Sequence, residues 1–270
     1  MVSIHIQIQR QQPLPREDPF PRQIEDLHRI SHDHLRYPLL FPGERLLALY
    51  LNVNGDHKMV INKLFPQEED LGVDIVWYDD VEDGVEILSH FVEKDKAMGI
   101  DKIWPARFLL RLQELGGGSR FVNASPVVDG IRMVKDEKEQ ALMRESSRLN
   151  DMAMERLIPW TAKGLTEKEL NAKVREIYKE LGCDDVSFDP ITAYAKGAAD
   201  PHHVTDDSKG RRGDCVVLDI GAFKDNYASD MTRTVFIGEV SDRGREIYDI
   251  VAEANRRGIE AAKPGNRMCD

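Results

Sequence analysis

Hydrophobic and polar positions alternate from the start of the chain. Val2, Ile4, Ile6 and Ile8 interleave with Ser3, His5, Gln7 and Gln9, the period-two pattern of a half-buried strand. Residues 11–22 hold four prolines and read as an irregular arm or linker. Phe41-Pro42-Gly43 marks a turn. An apolar strand is predicted over 46–53, a hairpin turn at Asn54-Gly55-Asp56 and a returning strand over 58–61. Another strand is predicted over 73–78. Val81, Val85, Leu88 and Val92 have helical spacing, so a helix is predicted over 81–92. A strand over 100–104, a helix over 106–115 stopped by Gly116-Gly117-Gly118, and a short strand over 120–122 follow. Strands alternating with helices predict an α/β layer domain.

The pattern changes near residue 130, which sets the expected boundary between domains 1–130 and 131–270. Asp136 with Glu139 resembles a capping box, and the helix behind it carries Leu142, Leu149, Ala153 and Leu157 on one face until Pro159. Thr166 with Glu169 opens a second helix, with Leu170, Val174, Ile177 and Leu181 inward and Gly182 as its stop. Strands are predicted over 189–194, 215–220 and 231–237. A last helix is predicted over 242–262, with Ile247, Ile250, Val251 and Ala254 facing inward.

Composition narrows the function classes. Hydrophobic residues make up 41% and charged residues 31%, as in globular chains. No apolar run approaches the roughly 20 residues of a membrane span. The N-terminus lacks the continuous apolar stretch of a signal peptide, so the cytoplasm is the expected compartment. Three widely spaced cysteines argue against a disulfide framework or a paired-cysteine zinc site. A net charge of −11 disfavours sequence-independent nucleic-acid binding.

The chemistry concentrates in two aspartates. Asp219 ends the apolar run Cys215-Val216-Val217-Leu218, and Gly221 follows two residues later. Asp230 opens the next apolar strand, within Tyr227-Ala228-Ser229-Asp230-Met231-Thr232-Arg233-Thr234. Adjacent antiparallel strands joined by a short turn would set the two carboxylates face to face. Such a pair repels unless it shares a proton or a cation. Hard divalent ions take oxygen ligands, and paired ions activate water for hydrolysis.

These strings, with Ala199-Asp200-Pro201-His202 upstream, resemble the pita-bread metallopeptidases, which include methionine aminopeptidases, Xaa-Pro aminopeptidases, prolidases and creatinases. The resemblance covers about residue 133 to the end, and more weakly extends back to about residue 46. It implies an α/β (α+β) fold: a small N-terminal creatinase-like domain, then a partial pita-bread domain with a curved antiparallel sheet. It implies two divalent metal ions, Mn2+ first with Co2+ or Zn2+ as alternatives. Asp219 would ligate one ion and Asp230 would bridge both. His202 would contact the substrate and move protons at the scissile amide, with His203 the poorer substrate-binding candidate. Thr232, two residues past the bridging Asp230 on the same strand face, would hydrogen-bond that carboxylate. Arg233 points the other way and reads as structural. The N-terminal domain places the chain with the prolidase and Xaa-Pro aminopeptidase branch, whose substrates are proline-containing dipeptides or short peptides. Family members are often dimers, so a homodimer is implied.

The family needs one His and two Glu beyond the two aspartates. The 40 residues after Asp230 hold no histidine, and Glu246, Glu253 and Glu260 read as a solvated helix face. The stretch is therefore expected to be partial and, by itself, inactive. Residues 1–42 are also short and proline-rich for the first unit of the N-terminal domain. Two alternatives stand beside proline-specific hydrolysis: a creatinase-like amidine C–N hydrolase and a metal-free peptide-binding module.

Overall fold

The computed structural model describes residues 3–8 (backbone only), 45–52, 54–65 and 72–269. The proline-rich arm over 11–22 and the turn over 41–43 lie outside the described residues. The chain divides into two compact units, Met1–Lys135 and Asp136–Asp270.

Six strands form one sheet in the first unit. They are β1 (Ser3–Ile8), β2 (Leu47–Leu51), β3 (Lys58–Asn62), β4 (Asp74–Tyr78), β5 (Ala97–Ile100) and β6 (Arg120–Asn123), in the order β4-β3-β2-β1-β5-β6. The alternating N-terminal segment is thus a central strand, parallel to β2 and antiparallel to β5. The β2–β3 hairpin turns where Asn54-Gly55 foretold it, with Gly55 at φ +84°. Alternate residues of β2 and β3 feed two apolar clusters. Ala48, Tyr50 and Val60 pack with Met98, Leu88 and Leu112, whereas Leu49, Leu51, Met59 and Ile61 pack with Phe65, Ile75 and Ile131. Period two thus serves both faces of a covered sheet.

Helix α1 (Gly84–Ser89) is shorter than the predicted 81–92. Asp83 caps it by accepting from the Val85 and Glu86 amides, while the Asp79 side chain turns the chain at Val81, which is exposed. Helix α2 (Ala106–Glu114) follows expectation. The strand predicted over 100–104 lies earlier, as β5. Asp101 accepts from the Ile103 amide through its side chain and from the Trp104 amide through its carbonyl, which makes 101–104 a turn. Helix α3 (Ser125–Met133), with proline in its first turn, was not foreseen.

The second unit stacks helices on antiparallel strands. Helix α4 (Glu137–Leu157) and helix α5 (Glu167–Glu180) both start with complete capping boxes, at Asp136 and Thr166. Strands β8 (Ile191–Tyr194), β9 (Cys215–Ile220) and β12 (Met231–Phe236) form one sheet in the order β12-β9-β8. Strands β7 (Asp185–Val186), β10 (Ala222–Lys224) and β11 (Tyr227–Ala228) form another in the order β11-β10-β7. Ala153, Met154 and Leu157 of α4 and Leu170, Val174 and Ile177 of α5 close over Val216, Leu218 and Ile220. Helix α6 (Asp242–Ala261) corrects an expectation: it buries no residue, and Ile247, Ile250 and Val251 are exposed. Its apolar spacing is real, but no described element packs over that stripe.

Candidate metal centre

Strand β9 alternates strictly. Val216, Leu218 and Ile220 are fully buried under the helices, so Asp219 falls on the opposite, half-buried face. β12 pairs antiparallel to β9, with Thr232 directly opposite Asp219 and Met231 opposite Ile220. The same register continues into β10 and β11, where Phe223 faces Ala228. Gly221 therefore lies across from Asp230. Asp230 is a diagonal neighbour of Asp219 on the adjacent strand, the placement at which long or charged side chains interact. The connection is longer than a plain turn: β10 and β11 extend the hairpin to a tip at Asp225-Asn226. Those residues take φ of 48° and 67°, the left-handed pair of a two-residue hairpin. Thr232 Oγ1 donates to Asp219 Oδ1 at 2.8 Å, so the threonine serves the strand-end aspartate opposite it and not the Asp230 carboxylate expected from the sequence.

The backbone between the aspartates is fixed from beneath by buried side chains. Asn150 Nδ2 donates to the Ile220 carbonyl (3.2 Å) and Ser146 Oγ to the Ala222 carbonyl (3.1 Å). The Tyr178 hydroxyl donates to Asn150 Oδ1 at 2.6 Å. Burial pushes the Tyr178 phenol well above its ordinary range, which keeps it a donor. From the other side, the Ser187 amide donates to the Gly221 carbonyl (2.9 Å) and Ser187 Oγ to the Ser229 carbonyl (2.8 Å). Ser229 Oγ accepts from the Ala222 amide at 3.1 Å. Side chains thus satisfy backbone groups where the regular ladder is interrupted. Sequence reasoning missed Ser146 and Asn150. Their signal was present: two polar residues four apart, within the apolar stripe of α4. Tyr178→Phe is expected to lower unfolding free energy by about 1–3 kcal/mol, because Asn150 Oδ1 loses its donor in a dry core. Chemical denaturation of the variant against the parent protein measures this.

The histidine segment folds on itself. Asp200 Oδ1 accepts from the His202 amide at 2.9 Å, and the Asp200 carbonyl accepts from the His203 amide at 3.2 Å. This turn leaves His202 exposed and turns His203 inward. His203 Nε2 lies 2.7 Å from Oε2 of Glu167, a carboxylate at the first turn of α5. Glu167, His203 and Asp206 form the one group of three possible metal donors within reach of each other among the described residues. However, the Glu167 oxygens already accept from the Tyr194 amide (2.9 Å), the Asp206 amide (3.0 Å) and His203. A carboxylate already engaged by three N–H donors is a hydrogen-bonding hub and a poor metal ligand.

Asp219 and Asp230 differ in this respect. Neither pairs with a lysine, arginine or histidine among the described residues, and Asp219 is touched only by the Thr232 hydroxyl. Two uncompensated carboxylates on adjacent strands offer hard oxygen donors and fit part of a divalent-cation site. The acids of α6 do not extend it. Glu246, Glu253 and Glu260 pair with Arg243, Arg256 and Arg257 on an exposed helix, as a solvated face should.

Residues 141–270 match the metallopeptidase family M24, and residues 29–134 match the creatinase/prolidase N-terminal domain. The chain is 35% identical over 174 residues to an Xaa-Pro dipeptidase of Pyrococcus horikoshii, an alignment covering 64% of this chain and 50% of that protein. It is 31% identical to the Xaa-Pro dipeptidase of Pyrococcus furiosus, over 80% of this chain and 62% of that one. The crystal structure of a recombinant prolidase from Thermococcus sibiricus superposes with a TM-score of 0.74 at 29% identity, over 83% of this chain and 62% of that one. The chain thus spans between half and two thirds of these relatives' lengths. The two matched segments fall on the two structural units, the second similar to metallopeptidase family M24 and the first to the creatinase/prolidase N-terminal domain.

Proposed function

We propose that the complete protein is a dinuclear-metal-dependent peptidase that hydrolyses the bond before proline in Xaa-Pro dipeptides or short peptides. The observation that carries this reading is the Asp219–Thr232 pair with Asp230 diagonal to it, in a chain whose relatives include Xaa-Pro dipeptidases. Asp219 and Asp230 hold the cations, for which Mn2+ is the first candidate and Co2+ or Zn2+ the alternatives. When bound, two such ions lower the pKa of a water and polarise a carbonyl. Thr232 keeps one Asp219 oxygen in a fixed direction. His202, exposed on its turn, binds the peptide and carries a proton at the scissile amide, work suited to an imidazole near neutral pH. We further propose a cytoplasmic homodimer; among the described residues, no helix is long and apolar enough to cross a membrane.

A substrate panel tests the reading. The complete protein with Mn2+ is expected to release proline from several Xaa-Pro dipeptides and to leave Xaa-Ala dipeptides intact. Hydrolysis of creatine alone would replace it with an amidine hydrolase, and failure on the whole panel with no Mn2+ uptake would favour a binding module. Thr232→Val keeps the side-chain shape and removes the hydroxyl. It should weaken Mn2+ affinity by about 10-fold to 100-fold in calorimetric titration.

A further inference from the structure

Glu167 is the most deeply buried carboxylate of the second unit that the proposed chemistry leaves unused. Its side chain is 1% exposed. No lysine or arginine pairs with it among the described residues. A charge so placed is costly unless donors surround it. Here they come from three directions: the Tyr194 amide at the end of β8, the Asp206 amide, and His203 Nε2. The helix N-terminus adds its positive dipole end. The Glu167 main chain joins in, since its amide donates to the Ser208 carbonyl (3.0 Å) and its carbonyl accepts from Thr192 Oγ1 (2.8 Å). One residue therefore ties α5, β8 and both ends of the 203–208 segment together.

His203 is the other half of this tie. Its imidazole lies against Gly197, where an added Cβ would come within 3.0 Å of the ring. With Nε2 on Glu167 and the ring on Gly197, the side chain has one place to go. The Asp200 turn then directs the preceding residue, His202, outward. Asp206 closes the far end of the segment, and the neighbouring Ser208 holds its carboxyl below the usual range.

We propose that Glu167 and His203 are positioning residues: a buried carboxylate–imidazole clamp that fixes the 200–208 segment and so aims His202 at the substrate. The inference rests on the role given to His202 above. It assigns His203 a partner inside the protein in place of the peptide.

The test uses His203→Ala and His203→Gln in the complete, Mn2+-loaded protein, with amide hydrogen exchange and steady-state kinetics on the same samples. Glutamine can still donate one N–H to Glu167. His203→Ala is expected to speed exchange over 200–208 by 10-fold or more. It should lower kcat by roughly 10-fold to 100-fold with little change in KM or Mn2+ affinity, because a displaced catalytic group costs rate at unchanged metal binding. His203→Gln should recover most of both effects. Unchanged exchange in His203→Ala would overturn the clamp. Faster exchange with unchanged kcat would overturn the positioning role. If the parent protein cleaves no Xaa-Pro peptide, the proposed function falls, while the exchange comparison still decides whether the clamp exists.

Discussion

Asp230→Asn in the complete protein is expected to lower kcat/KM for an Xaa-Pro dipeptide by about 1,000-fold or more and to reduce Mn2+ binding. Asparagine keeps the size of the side chain and one carbonyl oxygen but loses the negative charge. The lost quantity is the electrostatic hold on the cations, and several kcal/mol of transition-state stabilisation depend on them. Each tenfold in rate corresponds to about 1.4 kcal/mol, which converts that loss to the stated factor. The metal-free protein should behave in the opposite direction. Asp219 and Asp230 lie on neighbouring strands with no cationic side chain beside either among the described residues, so they repel when both are ionised. Removing one charge should leave the melting temperature of the metal-free protein unchanged or slightly raised. A variant that loses activity and also melts early would point to a folding defect and count against the metal reading. Full activity in Asp230→Asn would refute the assignment of that residue.

The second large effect is expected at Gly221. Its backbone runs between Ser187 and the Ser229 strand, and an added Cβ would sit 2.0 Å from Ser187 Oγ and 2.3 Å from the Ser229 carbonyl oxygen. The carbonyl belongs to backbone that is itself bonded on both sides, so it has little freedom to retreat. Gly221→Ala therefore cannot be relieved by one rotamer change. It should push apart the strands that carry Asp219 and Asp230, at a cost of about 3 kcal/mol, the upper end for overpacked sites. The expected readout is a lower denaturation midpoint together with weakened Mn2+ binding. A control in open space is Gly130→Ala, where nothing lies within 4 Å of the added atom. That change should be neutral or slightly stabilising within helix α3.

How far the sequence foretold this structure depends on the range of the forces involved. Capping boxes at Asp136 and Thr166 are local and were legible, as was the Asn54-Gly55 hairpin. β9 was legible as an apolar run ended by one charged residue, whereas the strict alternation of its burial shows only in the structure. The Asp219–Thr232 pairing was half legible. Period two put Thr232 on a useful face, but only the inter-strand register shows that its partner is Asp219. Helix α3 escaped because it is short and a proline, Pro126, and a glycine, Gly130, lie inside it. Glu167 escaped for a different reason. In sequence it is an ordinary acid in the first turn of a helix, where the dipole favours one. Its burial depends on β8 and on the histidine segment, which approach from elsewhere in the chain. The apolar stripe of α6 shows the converse: the spacing was read correctly, and nothing in spacing says what packs against it.

The central claim is that the strand pair carrying Asp219 and Asp230 is the seat of the metal. An anomalous difference map at the manganese edge, from crystals of the complete protein grown with Mn2+, tests it directly. The expected result is two peaks about 3.5–4 Å apart, both contacting Asp230 and one contacting Asp219. A map with no peak on that strand pair, or with its peak at Glu167, His203 and Asp206, would contradict it.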